Sequence, residues 1–214
     1  MQTRGLFHDV LIAPALTGAG RLVVVSGYAT PSLFTRQASA LGALGCPVDI
    51  SVTIGMAGES GVTVDAHEQW LRLLADHPGL EVRYTVRGFG DHSKTYIWFS
   101  GDEPTLAWTG SANYTESGFA LADGRRTETL TPVDPLAALE IVSATISDST
   151  SAIDAQFQAL VDFYAVESPE IRVTVGVEEL PDIGVDQVVL PLVQSRNGEV
   201  HNPGAGLNWG QRGS

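Results

Sequence analysis

The chain has 214 residues, of which 43% are hydrophobic, so it is long enough to bury the core of one domain with an extension. Its net charge of −13 at pH 7 argues against a protein that coats nucleic acid by charge alone. Residues 1–130 carry 9 Lys and Arg against 13 Asp and Glu, whereas residues 131–214 carry 3 against 12. The first part is therefore nearly balanced in charge, and the acidic excess lies mainly in the second.

The cysteine content and the apolar pattern indicate the compartment. The single cysteine, Cys46, cannot form an intramolecular disulfide. Residues 1–20 lack the uninterrupted apolar core of a signal peptide, and no apolar run approaches the ~20 residues of a membrane span. We therefore expect a cytoplasmic protein with no membrane partner.

Alternating strands and helices are predicted over the first 86 residues. Short apolar runs indicate buried strands, and stretches with helical periodicity separate them, the first closed by Gly45 as a C-terminal glycine. The predicted elements are strand Leu22–Val25, helix Pro31–Leu44, strand Val48–Ile54, helix Val64–Asp76 and strand Leu80–Val86. This alternation is typical of an α/β sheet that is covered by helices.

A predicted hairpin follows and carries the polar residues of most interest. Thr95–Phe99 and Thr105–Trp108 are rich in residues that favour strands, and a turn separates them. Because alternate residues of a strand face the same way, His92 and Lys94 are expected to project together into one pocket. The returning strand would bring Gly110–Asn113 beside them.

These side chains suit phosphodiester chemistry. The negative charge of a phosphodiester repels anionic nucleophiles, so a site needs cations and hydrogen-bond donors, which Lys94, Asn113 and the hydroxyl of Ser111 provide. His92 can attack phosphorus and form a phosphohistidine. The same residues also have structural interpretations: a histidine that caps a strand, a lysine on an edge strand, and ordinary turn residues. The pairing of the two motifs favours catalysis.

The pattern His-x-Lys, a spacer, then Gly-Ser-x-Asn resembles the signature of the phospholipase D superfamily, and the match consists of His92, Lys94, Gly110, Ser111 and Asn113. The longer stretch 110–119 resembles the nuclease branch, in particular the NgoFVII and BfiI type of restriction endonuclease. The resemblance implies an α/β fold with a phospholipase D-like mixed β-sheet and helices on both faces. It also implies a nuclease that acts on DNA without a metal or any other cofactor.

Two further positions are compared with that family. Many members carry Asp five positions after the motif lysine, where this chain has Phe99, so the group that replaces this Asp is not identified by the sequence. The stretch 126–130 resembles the strand that supplies a carboxylate to the active-site histidine, which makes Glu128 the matching position. A solvated surface carboxylate is the alternative for Glu128.

The chain contains one His-x-Lys motif, and the resemblance implies a homodimer with a single composite active site. One His92 would be the nucleophile and the other the acid and base. A phospholipase or phosphatidyltransferase is an alternative, which the lack of a hydrophobic anchor or basic amphipathic helix disfavours. A catalytically idle dimerisation or DNA-binding module is another, and the retained motif residues argue against it.

The remaining charged residues predict a local positive pocket and no metal site. Five cations lie near the motif or its carboxylate in the sequence: Arg83, Arg87, Lys94, Arg125 and Arg126. The stretch 67–71 begins like the zinc motif His-Glu-x-x-His but has leucine at the last position, so the second imidazole is missing.

The second part of the chain predicts two helices and an extension. Helices are expected over Pro135–Ile146 and Ser151–Tyr164, and they would complete a catalytic domain of residues 1–166. Residues 167–214 are expected to form a linker and a β-rich extension, in which 171–177 alternate as a strand and 186–194 pair with it. Residues 206–212 resemble the junction at which a DNA-recognition domain begins in NgoFVII-type enzymes.

Overall fold

The computed structural model describes residues 5–86, 90–121, 127–155, 193–194 and 200–201. The elements follow the chain in this order: α1 (Leu6–Leu11), α2 (Ala13–Leu16), β1 (Arg21–Ser26), α3 (Pro31–Ala43), β2 (Asp49–Ile54), α4 (Ala57–Ser60), α5 (Val64–Asp76), β3 (Leu80–Tyr84), β4 (Lys94–Ser100), β5 (Glu103–Gly110), β6 (Leu130–Val133), α6 (Pro135–Ser147), β7 (Thr150–Ser151), α7 (Ala152–Ala155), β8 (Val193–Gln194) and β9 (Val200–His201).

Seven strands form one mixed sheet in the order β6-β5-β4-β1-β2-β3-β7. Strands β1, β2 and β3 are parallel, whereas β4, β5 and β6 extend the sheet on one side as antiparallel strands and β7 does so on the other. Ser26 at the end of β1 lies opposite Ile54 at the end of β2 and opposite Lys94 at the start of β4. The carboxyl ends of the parallel strands and the start of β4 therefore meet at one edge of the sheet.

Helices cover both faces of the sheet, as the sequence predicts. Along β4, Tyr96 and Trp98 belong to the larger core cluster under α1, α3 and α5, while Ile97 and Phe99 belong to the smaller cluster under α6. This alternation follows from the two-residue period of a strand. Burial of both faces also explains why β1 reads as a continuous apolar run.

The predicted elements of the first half are present with small shifts. The first long helix ends at Ala43, and Gly45 has a φ of +69°, the left-handed conformation that a glycine after a helix adopts. The predicted turn of residues 100–104 is shorter in the structure, because β5 begins at Glu103 and includes Pro104. An irregularity in the β4–β5 register beside Phe99 accommodates this proline.

The second half is described in part. The helix predicted over Ser151–Tyr164 is preceded by β7 and begins as α7 at Ala152, and its part beyond Ala155 lies outside the described residues. The predicted strand 171–177, the boundary at 166/167 and the junction 206–212 also lie outside them. Val193–Gln194 pair with Val200–His201 in a separate two-stranded sheet. Within the described ranges, no helix has the length and apolar character needed to cross a membrane.

Candidate active site

Lys94 lies at the sheet edge where the parallel strands end. It is the only lysine of the chain, and 7% of its surface is exposed. Its Nζ donates a hydrogen bond of 2.5 Å to the carbonyl oxygen of His92. Burial lowers the pKa of the Lys94 ammonium below its ordinary value, and the carboxylates of Glu128 and Asp91 offset part of that effect. This end of the sheet therefore holds one buried positive charge, whose protonated form two carboxylates stabilise.

His92 lies directly before β4 and is exposed. The sequence predicts that His92 and Lys94 lie on one face of a strand. In the structure the strand begins only at Lys94, so His92 precedes it, and the Lys94 ammonium binds the backbone carbonyl of His92. The imidazole contacts the ring of Tyr28 edge-on, with 5.7 Å between centroids and 85° between planes. Among the described residues, neither imidazole nitrogen has a hydrogen-bond partner. Both nitrogens are thus available for proton or phosphoryl transfer.

Asp91 fixes the backbone that carries His92. Its N–H donates to the carbonyl of Gly55 at 2.9 Å, its Oδ1 accepts from the Ser93 N–H at 2.7 Å, and its Oδ2 accepts from the hydroxyl of Thr145 on α6. Burial raises the pKa of the Asp91 carboxyl, but these hydrogen bonds and the nearby Lys94 outweigh it, so the net shift is downward. The ionised carboxylate therefore ties the His92 segment to a neighbouring helix.

Asn113 is held with its amide hydrogens free. Its Oδ1 accepts a hydrogen bond from the backbone N–H of Tyr28 at 3.2 Å and lies 3.3 Å from Ser26 Oγ, whose own hydrogen is donated to the Tyr28 carbonyl oxygen at 2.7 Å. A backbone N–H can only donate, so the side-chain atom that faces it must be the oxygen. The Nδ2 hydrogens have no partner in the described part of the chain. They remain able to bind an anionic oxygen.

Ser111 and Glu128 form a pair. The Ser111 hydroxyl donates to Glu128 Oε2 and accepts from the Thr129 N–H at 3.0 Å. The expected partner of Glu128 is the imidazole of His92, but the described residues show no hydrogen bond between the two side chains. Glu128 instead binds Ser111 and acts electrostatically on Lys94.

Phe99 and Arg83 lie away from this cluster. Phe99 is buried near the opposite end of β4, and the Arg21 guanidinium lies 4.0 Å from its ring centroid. Arg83 donates to Ser149 and to Glu81, so it does not contribute to a positive pocket. The other three arginines of the predicted pocket, at positions 87, 125 and 126, lie outside the described residues.

The structure brings the five predicted residues into one connected cluster. His92 contacts Tyr28, which binds Asn113, while Lys94 binds the backbone of His92 and is influenced by the Glu128 of the serine pair. No three histidine, cysteine, aspartate or glutamate side chains within the described ranges are grouped so that they could hold a metal ion. The cluster offers an imidazole, an ammonium and amide donors.

Sequence reasoning missed several residues that build the site: Ser26, Gly27, Tyr28, Asp91, Gly118 and Thr145. The first three directly follow the apolar run of β1, and sites of α/β sheets lie beyond the carboxyl ends of parallel strands. That rule could have identified them. Gly118 is needed because a Cβ there would lie 2.2 Å from the carbonyl oxygen of Asn113. No sequence signal marks Thr145, since it reaches the site through the packing of α6.

Residues 5–159 match the model of the family described as the NgoFVII restriction endonuclease N-terminal PLD domain, where PLD denotes phospholipase D. The chain belongs to this family. The resemblance of its two motifs to the phospholipase D superfamily is thereby confirmed. In sequence, the PLD domain has no match among the curated proteins.

Solved structures similar to this PLD domain include Nuc from Salmonella typhimurium, described as a phospholipase D family member, with a TM-score of 0.45 and 16% identity over 66% of this chain and 87% of that one. For NucT from Helicobacter pylori the TM-score is 0.44 and the sequence identity 12%, and the match covers 70% of this chain and 96% of that one. For a polyphosphate kinase from Porphyromonas gingivalis the TM-score is 0.41 and the sequence identity 16%. That match covers 65% of this chain but only 19% of the kinase.

Proposed function

We propose that this PLD domain is a metal-independent phosphodiesterase that acts on DNA, as the nuclease part of a type II restriction endonuclease. The observation that carries the proposal is the buried ammonium of Lys94 beside an exposed imidazole whose nitrogens are unpaired among the described residues. An ammonium in a low-dielectric position stabilises the charge of a phosphoryl group without a metal ion. Membership of the restriction endonuclease family supports DNA as the substrate.

The reaction follows from the roles of these groups. A nitrogen of His92 attacks phosphorus, and a P–N bond forms as the P–O bond to the leaving sugar oxygen breaks. Lys94 and the amide of Asn113 bind the non-bridging oxygens. A second imidazole protonates the leaving oxygen and then removes a proton from the water that hydrolyses the phosphohistidine.

A homodimer supplies the second imidazole. One chain contains one His-x-Lys motif, so a two-fold axis near the sheet edge would bring two His92 side chains to a shared phosphate. The exposure of His92 is compatible with this arrangement. The proposed role of Glu128 is to keep Lys94 protonated and the Ser111 hydroxyl oriented.

The test is cleavage of plasmid DNA in excess EDTA. We expect activity to survive chelation and to be abolished in His92→Ala with the domain still folded, as circular dichroism would show. His8→Ala is the matched control, since His8 is an exposed histidine on α1, and it should cleave at the wild-type rate. Activity that disappears in EDTA and returns with Mg²⁺ would contradict the proposal. Hydrolysis of phospholipid vesicles without cleavage of DNA would contradict the substrate.

A further inference from the structure

The imidazole of His92 must be aimed at phosphorus, yet no hydrogen bond among the described residues aims it. Two contacts without hydrogen bonds restrict the ring instead. Tyr28 meets it edge-on with 5.7 Å between centroids, and the backbone of Gly27 lies so close that a Cβ there would be 2.7 Å from His92 Cδ2. Contacts on two sides exclude most rotamers of an exposed side chain.

Tyr28 is itself fixed at three points. Its N–H donates to Asn113 Oδ1 at 3.2 Å, its carbonyl accepts from the Ser26 hydroxyl at 2.7 Å, and its phenol hydroxyl bonds Ser60 Oγ at 3.0 Å. Ser60 is 5% exposed and Ser26 is fully buried, so these anchors belong to the rigid interior. Tyr28 is 37% exposed, but its side chain cannot swing away from His92 about χ1 without breaking the hydrogen bond between its hydroxyl and Ser60.

We propose that Tyr28 is the positioning residue that sets the orientation of the His92 imidazole. The proposal rests on the proposed function for its kinetic consequence, because it assumes that His92 reacts with phosphorus. A contact of this kind has a specific advantage in a shared site. A carboxylate on one nitrogen would fix the tautomer of the ring, whereas a perpendicular contact with an aromatic ring restricts its direction without a hydrogen bond to either nitrogen. Identical copies of His92 can then act as nucleophile in one subunit and as proton donor in the other.

The kinetic test compares Tyr28→Leu with Tyr28→Phe. Tyr28→Leu should lower kcat for a DNA duplex by about ten-fold or more and change KM by less than about two-fold, because misaiming a nucleophile weakens the transition state and spares substrate binding. Tyr28→Phe keeps the ring but loses the hydrogen bond to Ser60, so its kcat should lie between those of the wild type and Tyr28→Leu. Leu106→Ala is the matched control, since Leu106 is 39% exposed, close to the exposure of Tyr28, and lies within β5. It should leave both constants unchanged.

Ser60→Ala provides an independent arm. It removes the same hydrogen bond as Tyr28→Phe, so the two single variants should have equal effects and the double variant should be no worse than either. If the losses of kcat in the two single variants add up in the double variant, the two hydroxyls act separately, and the hydrogen bond between them does not hold the Tyr28 ring in place.

A spectroscopic readout separates this proposal from the proposed function. The ring current of Tyr28 should displace the ¹H chemical shifts of the His92 imidazole in NMR spectra. These resonances are assigned by their absence in His92→Ala. Tyr28→Phe should preserve the displacement and Tyr28→Leu should abolish it. If the wild-type protein cleaves no DNA, the proposed function fails while the displacement still tests the contact. Unchanged resonances in Tyr28→Leu, or a wild-type kcat in that variant, would overturn the positioning role.

Discussion

Lys94 is a single positive charge in a place where burial disfavours charge. It binds a neutral carbonyl, and its electrostatic support comes from Glu128 and Asp91. Because burial is the larger effect, the ammonium is more easily deprotonated than that of an ordinary lysine. The cationic form that a phosphate needs is therefore lost at a lower pH than for a solvated lysine.

This state of Lys94 can be measured directly, because it is the only lysine. With ¹⁵N-lysine labelling, one side-chain signal should titrate below the ordinary lysine pKa of about 10.4. Glu128→Gln should lower the pKa of Lys94 further, since that carboxylate raises it. Glu116→Gln, which removes a carboxylate whose recorded partner is Arg36, is the control and should not alter the titration. A rise after Glu128→Gln would contradict the described electrostatics.

At the scale of elements, the turn that follows β5 places Asn113. Gly118 packs against the backbone of Asn113, so that an added Cβ would lie 2.2 Å from its carbonyl oxygen and 2.9 Å from its nitrogen. Backbone atoms cannot yield as a flexible side chain can. Any larger residue at position 118 must therefore displace the backbone of Asn113, and with it the side-chain amide that faces the site.

Gly118→Ala should reduce the free energy of unfolding by about 2 kcal/mol or more, as overpacking does, and should reduce DNA cleavage as well. The matched control is Gly42→Ala on α3, where nothing lies within 4 Å of the added Cβ. There the change should stabilise the protein by roughly 0.5–1 kcal/mol, because alanine favours a helix. Chemical denaturation of the two variants checks both values. Equal effects of the two substitutions would contradict the packing around Asn113.

Periodicity predicted the longer strands and helices of the first 86 residues, because buried strands and amphipathic helices must follow the period of their burial, but it did not predict the short helices α1, α2 and α4. Helix Val64–Asp76 has the bounds that the sequence predicts. Spacing also singled out the motif residues, since catalytic residue types are rare within apolar strands. It could not predict that β4 starts after His92. That segment follows contacts with distant glycines: its Ser93 carbonyl accepts from the Gly27 N–H, and a Cβ at Gly55 would lie 2.0 Å from Asp91 O.

The partner of Glu128 was equally inaccessible from the sequence. Ser111 meets Glu128 because Gly110 pairs with Leu130 in the β5–β6 register, which joins residues that are far apart in the chain. A local pattern contains no information about such a register. The contact of Tyr28 with Asn113 could not be predicted either, because it joins the loop after β1 to the turn after β5.

At the scale of the whole molecule, stability should depend on pH through His67. This histidine is fully buried on α5, its Nδ1 lies 3.1 Å from the Tyr84 hydroxyl, and its Nε2 has no partner among the described residues. Burial lowers the pKa of His67 below its ordinary value. The unfolded chain then binds a proton at a higher pH than the folded one. The stability contributed by the neutral imidazole is present above the unfolded pKa of about 6.5 and is lost as the pH falls below it.

Between pH 7 and pH 5, the free energy of unfolding should therefore fall by up to about 1.4 kcal/mol per pH unit from this group. His67→Gln keeps a polar group near Tyr84 but cannot titrate, so its curve should be flatter by that amount. Urea denaturation over this pH range is the measurement. Parallel curves for wild type and His67→Gln would refute the assignment.

Assembly is the other property of the whole molecule that can be tested. If only dimers with two His92 side chains turn over, exchange with the inactive His92→Ala chain should reduce activity as the square of the wild-type fraction. A catalytic monomer would give a linear decrease instead. Exchange with His8→Ala chains should leave activity unchanged. Sedimentation at the assay concentration would show whether the dimer is present.

The turn between β4 and β5 lies at the far end of both strands from the candidate site. Gly101, with a φ of +59°, and Asp102 are exposed between the paired residues Ser100 and Glu103. The length of β4 separates this turn from Lys94 by roughly 20 Å. Exposed turn tips tolerate inserted sequence. A fluorescent domain or an immobilisation tag spliced between Gly101 and Asp102 would therefore extend away from the candidate site and leave that end of the sheet open.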